Sequence, residues 1–238
     1  MVFCFYKHHT RSKMENRMEK KMGMKARLKY IVAVVAILSL LAVAGACGNM
    51  TGPDDEAGTL QFEGILLHEG SVLITESKAG QLSEGQLISL SFPDDMETLP
   101  PVGSLYRYVI DSTLRESWPP QGNAIEAEEI QAFAGHTVIT FDAAEMILEH
   151  LPERAHLIDV RTVEEYKGGH IDGAQNIPID EIEEAILIAI PEKSDVVIVY
   201  CRSGNRSAQA GKMLEDLGYK VILDAGGIID YEKPLIEN

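Results

Sequence analysis

The apolar positions of this chain follow three different patterns along its length. Fourteen residues, 31–44, are apolar except for one serine. Between about residues 60 and 130, short apolar runs are interrupted by glycine, proline and aspartate, which is typical of strands joined by turns. From residue 137 onward, β-branched apolar runs alternate with stretches of helical period. The pattern therefore predicts three parts with different structures.

The middle part, residues 60–133, is predicted to be a small all-β domain, either a barrel or a sandwich. Five runs have strand character: LQFEGILL, SVLITES, QLISLSF, SLYRYVI and AIEAEEI. The aromatic residues Tyr106, Tyr108 and Trp118 are expected to pack in the core or at a sheet edge, because this is more common than a role in ligand binding. No motif in this part indicates a particular ligand.

The last part, residues 137–238, is predicted to be a mainly parallel sheet flanked by helices. Its strand runs, TVI, HLIDV, DVVIVY and KVIL, are continuously apolar, as in strands that are buried on both faces. The final helix is expected to end at Gly218, which suits a left-handed stop. Three capping pairs predict helix starts: Asp142 with Glu145, Thr162 with Glu165, and Asp180 with Glu183.

The first part, residues 1–46, is typical of an export signal. Nine basic residues precede the apolar run, and the small residues Gly45 and Ala46 follow it. The run is shorter than the about 20 residues that a membrane-spanning helix needs. Cys47 resembles the cysteine of bacterial lipoproteins, which implies acylation and a membrane-anchored, extracytoplasmic protein. The alternative, an uncleaved N-terminal anchor, gives the same location. Residues 47–59 are predicted to be a flexible tether.

The charge distribution argues against nucleic acid as a partner. Residues 1–46 carry nine basic and two acidic residues, a net charge of +7, and the whole chain carries −16, so the remaining residues carry −23. These remaining residues would be repelled by a phosphate backbone, because they lack a basic stripe that could release counterions. We therefore expect no nucleic-acid partner.

The stretch CRSGNRSAQAGKML, residues 201–214, contains the strongest candidate for chemistry. Cys201 stands at the carboxyl end of the buried run VVIVY, and such strand ends form the edge at which open α/β sheets bind ligands. We expect residues 202–206 to turn sharply at Gly204 and a helix to begin near Ser207 or Ala208. The amide groups of the turn, the helix N-terminus and nearby arginines would then favour a thiolate and bind an anion.

Three segments of this part resemble single-domain rhodaneses: LIDVRTVEEYKGGHIDGAQNIP (157–178), YCRSGNRSAQAGKML (200–214) and LDAGGIIDY (223–231). The resemblance covers residues 137–238. It implies a sulfurtransferase whose cysteine, here Cys201, takes sulfane sulfur from a small donor anion such as thiosulfate. The cysteine holds this sulfur as a persulfide and passes it to a thiol acceptor, and no cofactor is needed.

The resemblance also implies roles for the residues around the cysteine. The persulfide and the leaving anion would be bound by Arg202, Ser203, Gly204, Asn205, Arg206 and Ser207. Asp159 and Arg161 correspond to a supporting Asp-Val-Arg segment, and we expect Arg161 to pair with Glu164 or Glu165. His170 is expected to be a buried or turn-bonded scaffold residue rather than a general base. One wall of the entrance is expected to come from Ile228, Ile229 and Tyr231.

Other chemistries fit the sequence less well. A cysteine phosphatase of the same architecture would need an arginine six positions after the cysteine, where this chain has Ser207. A dithiol oxidoreductase would need a second free thiol, but only Cys201 is expected to remain free once the leader is removed and Cys47 is acylated. The histidines show no metal-ligand spacing, so no metal is expected. The remaining alternative is a surface module that binds a partner or senses persulfide without catalysis.

Overall fold

The computed structural model describes residues 58–93, 96 and 99–237 of the 238-residue chain. The predicted export signal, the predicted acylation of Cys47 and nearly all of the predicted tether therefore lie outside the described residues. Among the helices of the described ranges, none is both long enough and apolar enough to cross a membrane. The described residues all belong to one compact unit.

Five strands close into a barrel. They are β1 (Thr59–His68), β2 (Ser71–Ser77), β3 (Leu87–Ser91), β4 (Leu105–Asp111) and β5 (Gln121–Gln131). The barrel order is β1-β2-β3-β5-β4, with β4 pairing again with β1. The pairs are antiparallel except for β3 with β5, which run parallel.

The aromatic residues of the barrel differ in their environment. Tyr108 is fully buried in the barrel interior, where its ring stacks on Phe62 at a centroid distance of 5.4 Å. Burial in these apolar surroundings raises the pKa of the Tyr108 hydroxyl well above its ordinary value. Trp118 is 64% exposed in the loop between β4 and β5. The expectation of core or edge packing therefore holds for Tyr108 and is wrong for Trp118.

The C-terminal part is a five-stranded parallel sheet with helices on both faces, as the sequence predicted. The sheet order is β6-β10-β9-β7-β8. Its strands are β6 (His136–Val138), β7 (Ala155–Asp159), β8 (Gln175–Asn176), β9 (Val196–Cys201) and β10 (Val221–Gly227). The helices are α1 (Phe141–His150), α2 (Val163–Lys167), α3 (Ile182–Ala189) and α4 (Asn205–Asp216), with 3-10 turns at Ile179–Glu181 and Ile228–Asp230.

The two faces of the parallel sheet are buried in different ways. On one face, α3 and α4 contribute Ile186 and Leu214 to an apolar cluster. On the other face, a single cluster joins Ile147 of α1 to Leu67 of β1 and Leu73 of β2. The Ser71 hydroxyl also lies 3.3 Å from Nε2 of His150, so β2 and α1 are linked by a polar contact. The outer surface of the barrel and the parallel sheet therefore share one core.

Only one of the three predicted capping pairs has the expected geometry. The Thr162 hydroxyl accepts a hydrogen bond from the Glu165 N–H, and the Glu165 carboxylate accepts one from the Thr162 N–H, at 3.3 and 3.1 Å. The predictions at Asp142 and Asp180 are wrong: Thr140 caps α1, and α3 follows a 3-10 turn without a side-chain cap. Gly218 ends α4 with a φ of 87°, which confirms the predicted stop.

Candidate active site

Cys201 is the last residue of β9 and is only 1% exposed. Helix α4 begins at Asn205, so the predicted start near Ser207 or Ala208 is wrong. The reason is Gly204, which stands before the helix with a φ of 89° and turns the chain within three residues of the cysteine. The short turn brings the first N–H groups of α4 close to the thiol. These groups have no partner within the helix, so they are available to donate to the sulfur.

Main-chain donors surround the sulfur. The Gly204 N–H donates a hydrogen bond to Sγ of Cys201 at 3.1 Å. Burial alone would raise the pKa of the Cys201 thiol, but the N–H groups of Ser207, Ser203 and Arg206 act against it, and the net pKa is lowered. The thiolate is therefore stabilised by fixed dipoles of its own loop.

Gly227 at the end of β10 allows this strand to lie against the cysteine loop. A Cβ on Gly227 would stand 2.7 Å from the Cα of Ser203, which is closer than real contacts allow. The buried Ser207 hydroxyl donates to the Gly204 carbonyl at 2.9 Å and lies 3.4 Å from the Gly226 carbonyl. These contacts hold the loop against the end of β10.

The predicted entrance wall is only partly present. Ile229 is 66% exposed, and its N–H donates to the Arg202 carbonyl at 3.3 Å, so this residue lies beside the loop. The prediction is wrong for Ile228, which is buried in the core cluster because its 3-10 turn directs it inward. The Tyr231 hydroxyl donates to a Glu145 carboxylate oxygen of α1 at 2.8 Å, and burial, together with this carboxylate, raises the pKa of Tyr231 to about 12.

Asp159 and Arg161 form a buried ion pair next to the site. The Arg161 guanidinium donates to the Asp159 carboxylate at 2.6 and 2.9 Å, and the two side chains are 7% and 0% exposed. The same guanidinium donates to the Gly169 carbonyl at 2.7 Å. Asn176 donates its amide to the carbonyls of both residues of the pair. The pair therefore ties together the segments that follow β7 and α2.

Glu165 pairs with Arg206 of the cysteine loop and not with Arg161. Two guanidinium nitrogens of Arg206 donate to the two carboxylate oxygens of Glu165 at 2.7 and 2.8 Å. The predicted pairing of Arg161 with Glu164 or Glu165 is wrong, because the Asp159 carboxylate two residues away already holds Arg161. The sequence carries no direct signal for the actual pair, because it is the pairing of β7 with β9 that brings the segments following them to one edge.

The remaining loop side chains point to solvent. Arg202, Ser203 and Asn205 are exposed. In the described ranges, the Arg202 side chain has no hydrogen bond or ion pair, and Asn205 contributes none to the thiol. His170 is buried, stacks on Tyr166 and has its Nδ1 3.0 Å from the Tyr166 carbonyl, which fits a scaffold role. The described residues include no group of three His, Cys, Asp or Glu side chains that could hold a metal ion.

A buried cysteine at the carboxyl edge of a parallel sheet, with its thiolate held by loop amides, defines a class of cysteine-dependent sites that bind anions. Comparison with known proteins identifies the family within this class. Residues 142–233 match the family described as Rhodanese-like domain. The chain is 44% identical over 82 residues to thiosulfate sulfurtransferase PspE of Escherichia coli, which covers 34% of this chain and 79% of that protein. This chain therefore belongs to the rhodanese family.

Two further relatives show the same similarity. The putative mitochondrial thiosulfate sulfurtransferase of Schizosaccharomyces pombe is 44% identical over 77 residues, which cover 28% of this chain and 54% of that protein. The solved structure of a rhodanese with anions from E. coli is 43% identical, with a TM-score of 0.34, and the match covers 35% of this chain and 99% of that one.

Proposed function

We propose that this protein is a sulfurtransferase that carries sulfane sulfur as a persulfide on Cys201. The observation that carries the proposal is the set of N–H donors around Sγ of Cys201, including the Gly204 N–H at 3.1 Å. A thiolate nucleophile and a persulfide anion need the same aimed dipoles, so one loop can stabilise both states. The name of the E. coli relative supports thiosulfate as a donor.

The reaction balances without a cofactor. The Cys201 thiolate attacks the outer sulfur of thiosulfate, the S–S bond of the donor breaks, and sulfite leaves with the electron pair of that bond. The persulfide anion then gives its outer sulfur to a thiol or another thiophilic acceptor, which regenerates the thiolate. Because Cys201 is almost fully buried, we expect donors and acceptors whose reacting end is slender.

A sulfurtransfer assay of the full chain, compared with Cys201→Ser, tests the proposal. We expect thiosulfate-dependent sulfur transfer in the wild type and none in the variant. Mass spectrometry after thiosulfate treatment should show a gain of one sulfur, about 32 Da, on the peptide that contains Cys201. Equal, near-zero rates in both proteins without a persulfide would favour a binding module. Hydrolysis of a phosphate ester that depends on Cys201 would instead favour a phosphatase.

We further propose that the protein acts outside the cytoplasm, tethered to a membrane through an acylated Cys47. The basic segment, the apolar run and the small residues before Cys47 support this proposal. Fatty-acid labelling of cells that express the wild type or Cys47→Ala tests it. We expect label only in the wild type, and equal labelling of both would rule out Cys47 as the acylated residue.

A further inference from the structure

The two arginines of the cysteine loop differ in what they offer to an anion. Both carboxylate oxygens of Glu165 accept hydrogen bonds from Arg206, so two of its donors are already used. Arg202 is exposed and, in the described ranges, has no carboxylate partner. An incoming anion therefore meets one uncompensated guanidinium and one that is already paired.

Glu165 is ionised under all ordinary conditions. The hydrogen bonds from Arg206 lower its pKa to about 2, with further lowering by the Thr162 N–H. The Glu165 carboxylate, and to a smaller extent Cys201, raises the pKa of the Arg206 guanidinium. Glu165 thus places a permanent negative charge on the paired arginine of the cysteine loop.

Two electrostatic effects of Glu165 on a donor act in the same direction. The carboxylate repels any second negative charge on the donor, and it reduces the attraction that Arg206 exerts on that charge. The side chains of the pair are 28% and 29% exposed, so solvent screens these effects only in part. Both effects increase with the number of negative charges on the donor.

We propose that Glu165 is a specificity-determining residue that shifts the preference of the site away from dianionic sulfur donors and towards donors with one negative charge. The inference rests on the proposed sulfurtransferase activity and names its donor class, the monoanionic persulfides and thiosulfonates. Glu165 acts through its own charge and through Arg206 and does not touch the reacting atoms, so it is a positioning residue. Thiosulfate, a dianion, is still a donor, but this carboxylate weakens its binding.

Two donors that differ by one charge allow a direct test. Thiosulfate carries two negative charges, and methanethiosulfonate carries one because a methyl group replaces an oxygen. In both cases the Cys201 thiolate takes the outer sulfur and the S–S bond breaks. The leaving group departs with the electron pair, as sulfite from thiosulfate and as methanesulfinate from methanethiosulfonate. The ratio of kcat/KM for thiosulfate to that for methanethiosulfonate therefore reports charge discrimination at one reaction centre.

The decisive variant is Glu165→Gln in the full chain. Glutamine keeps an acceptor for the Thr162 N–H, because it also serves in capping boxes, but it removes the charge. We expect the donor ratio to rise roughly three- to tenfold, mainly through a lower KM for thiosulfate. The matched control is Glu164→Gln, which removes an exposed charge from the same helix without touching Arg206, and it should leave the ratio unchanged.

A second variant moves the ratio in the opposite direction. Arg206→Gln leaves Glu165 without its partner beside the thiol, so the ratio should fall.

An unchanged or lower ratio in Glu165→Gln, or equal increases in Glu164→Gln and Glu165→Gln, would overturn the inference. Failure of the proposed function is a different result, because the wild type would then form no persulfide on Cys201 with either donor.

Discussion

The two carboxylate–arginine pairs near Cys201 have similar bond lengths and very different surroundings. Asp159 and Arg161 are 0% and 7% exposed, whereas Glu165 and Arg206 are 28% and 29% exposed. Breaking a buried pair leaves a charge without water or a partner, but an exposed charge is rehydrated when its partner is removed. We infer that the buried pair maintains the fold around the site and that the partly exposed pair adjusts its charge.

The largest predicted effect is that of Asp159→Ala. The variant leaves the Arg161 guanidinium buried and unpaired, so we expect it to lower the free energy of unfolding by about 3–5 kcal/mol. Urea unfolding monitored by circular dichroism measures the loss. A double variant with Arg161→Met should recover a large part of it, because no charge then remains buried. A loss no larger than that of a surface substitution would mean that the pair does not maintain the fold.

A smaller effect is expected at Thr162, which caps the helix that carries Glu165. Thr162→Ala removes the acceptor of the Glu165 N–H, so it should lower the free energy of unfolding by about 1 kcal/mol. Thr162→Ser keeps the hydroxyl and serves as the control. The same unfolding measurement applies, and an equal loss in both variants would show that the hydroxyl is not the reason.

The smallest predicted effect is that of Glu165→Gln on stability, at most about 1 kcal/mol near neutral pH, because the pair is partly solvated. The effect should depend on pH in a defined direction. Because the pKa of Glu165 is lowered from 4.5 to about 2, its stabilising contribution is present above pH 4.5 and is lost as the pH falls through about 2.

Unfolding of wild type and Glu165→Gln at several pH values checks this dependence. The difference in the free energy of unfolding between the two proteins should be constant above pH 4.5 and shrink below it. A difference that grows on acidification would contradict the assignment of the Glu165 carboxylate as ionised and paired.

The sequence predicted the location of the cysteine better than the geometry of its loop. The continuous apolar run before Cys201 identified a buried strand, and the strand end identified the ligand-binding edge. The helix start could not be read in the same way, because α4 has no side-chain cap and begins directly after the left-handed Gly204. Strand β8 consists of only two residues, both polar, so it has no hydrophobic periodicity that could be detected in the sequence.

Contacts between distant segments were the other feature that the sequence did not reveal. Ile65, Leu66 and Leu67 are all buried, with Leu66 inside the barrel and the other two in the core shared with α1. Three consecutive buried apolar residues indicate a strand covered on both faces, but the pattern does not name the partner that covers it. The pair of Arg206 with Glu165 could not be predicted for the same reason, since only the sheet order places the two residues side by side.

Titration of the Cys201 thiol in the full chain, followed by the ultraviolet absorbance of the thiolate, tests most directly whether the loop amides stabilise the thiolate. Cys201→Ser supplies the background from the other cysteines. We expect an apparent pKa below the ordinary value of about 8.5, because the loop amides outweigh the effect of burial. An apparent pKa at or above the ordinary value would contradict it.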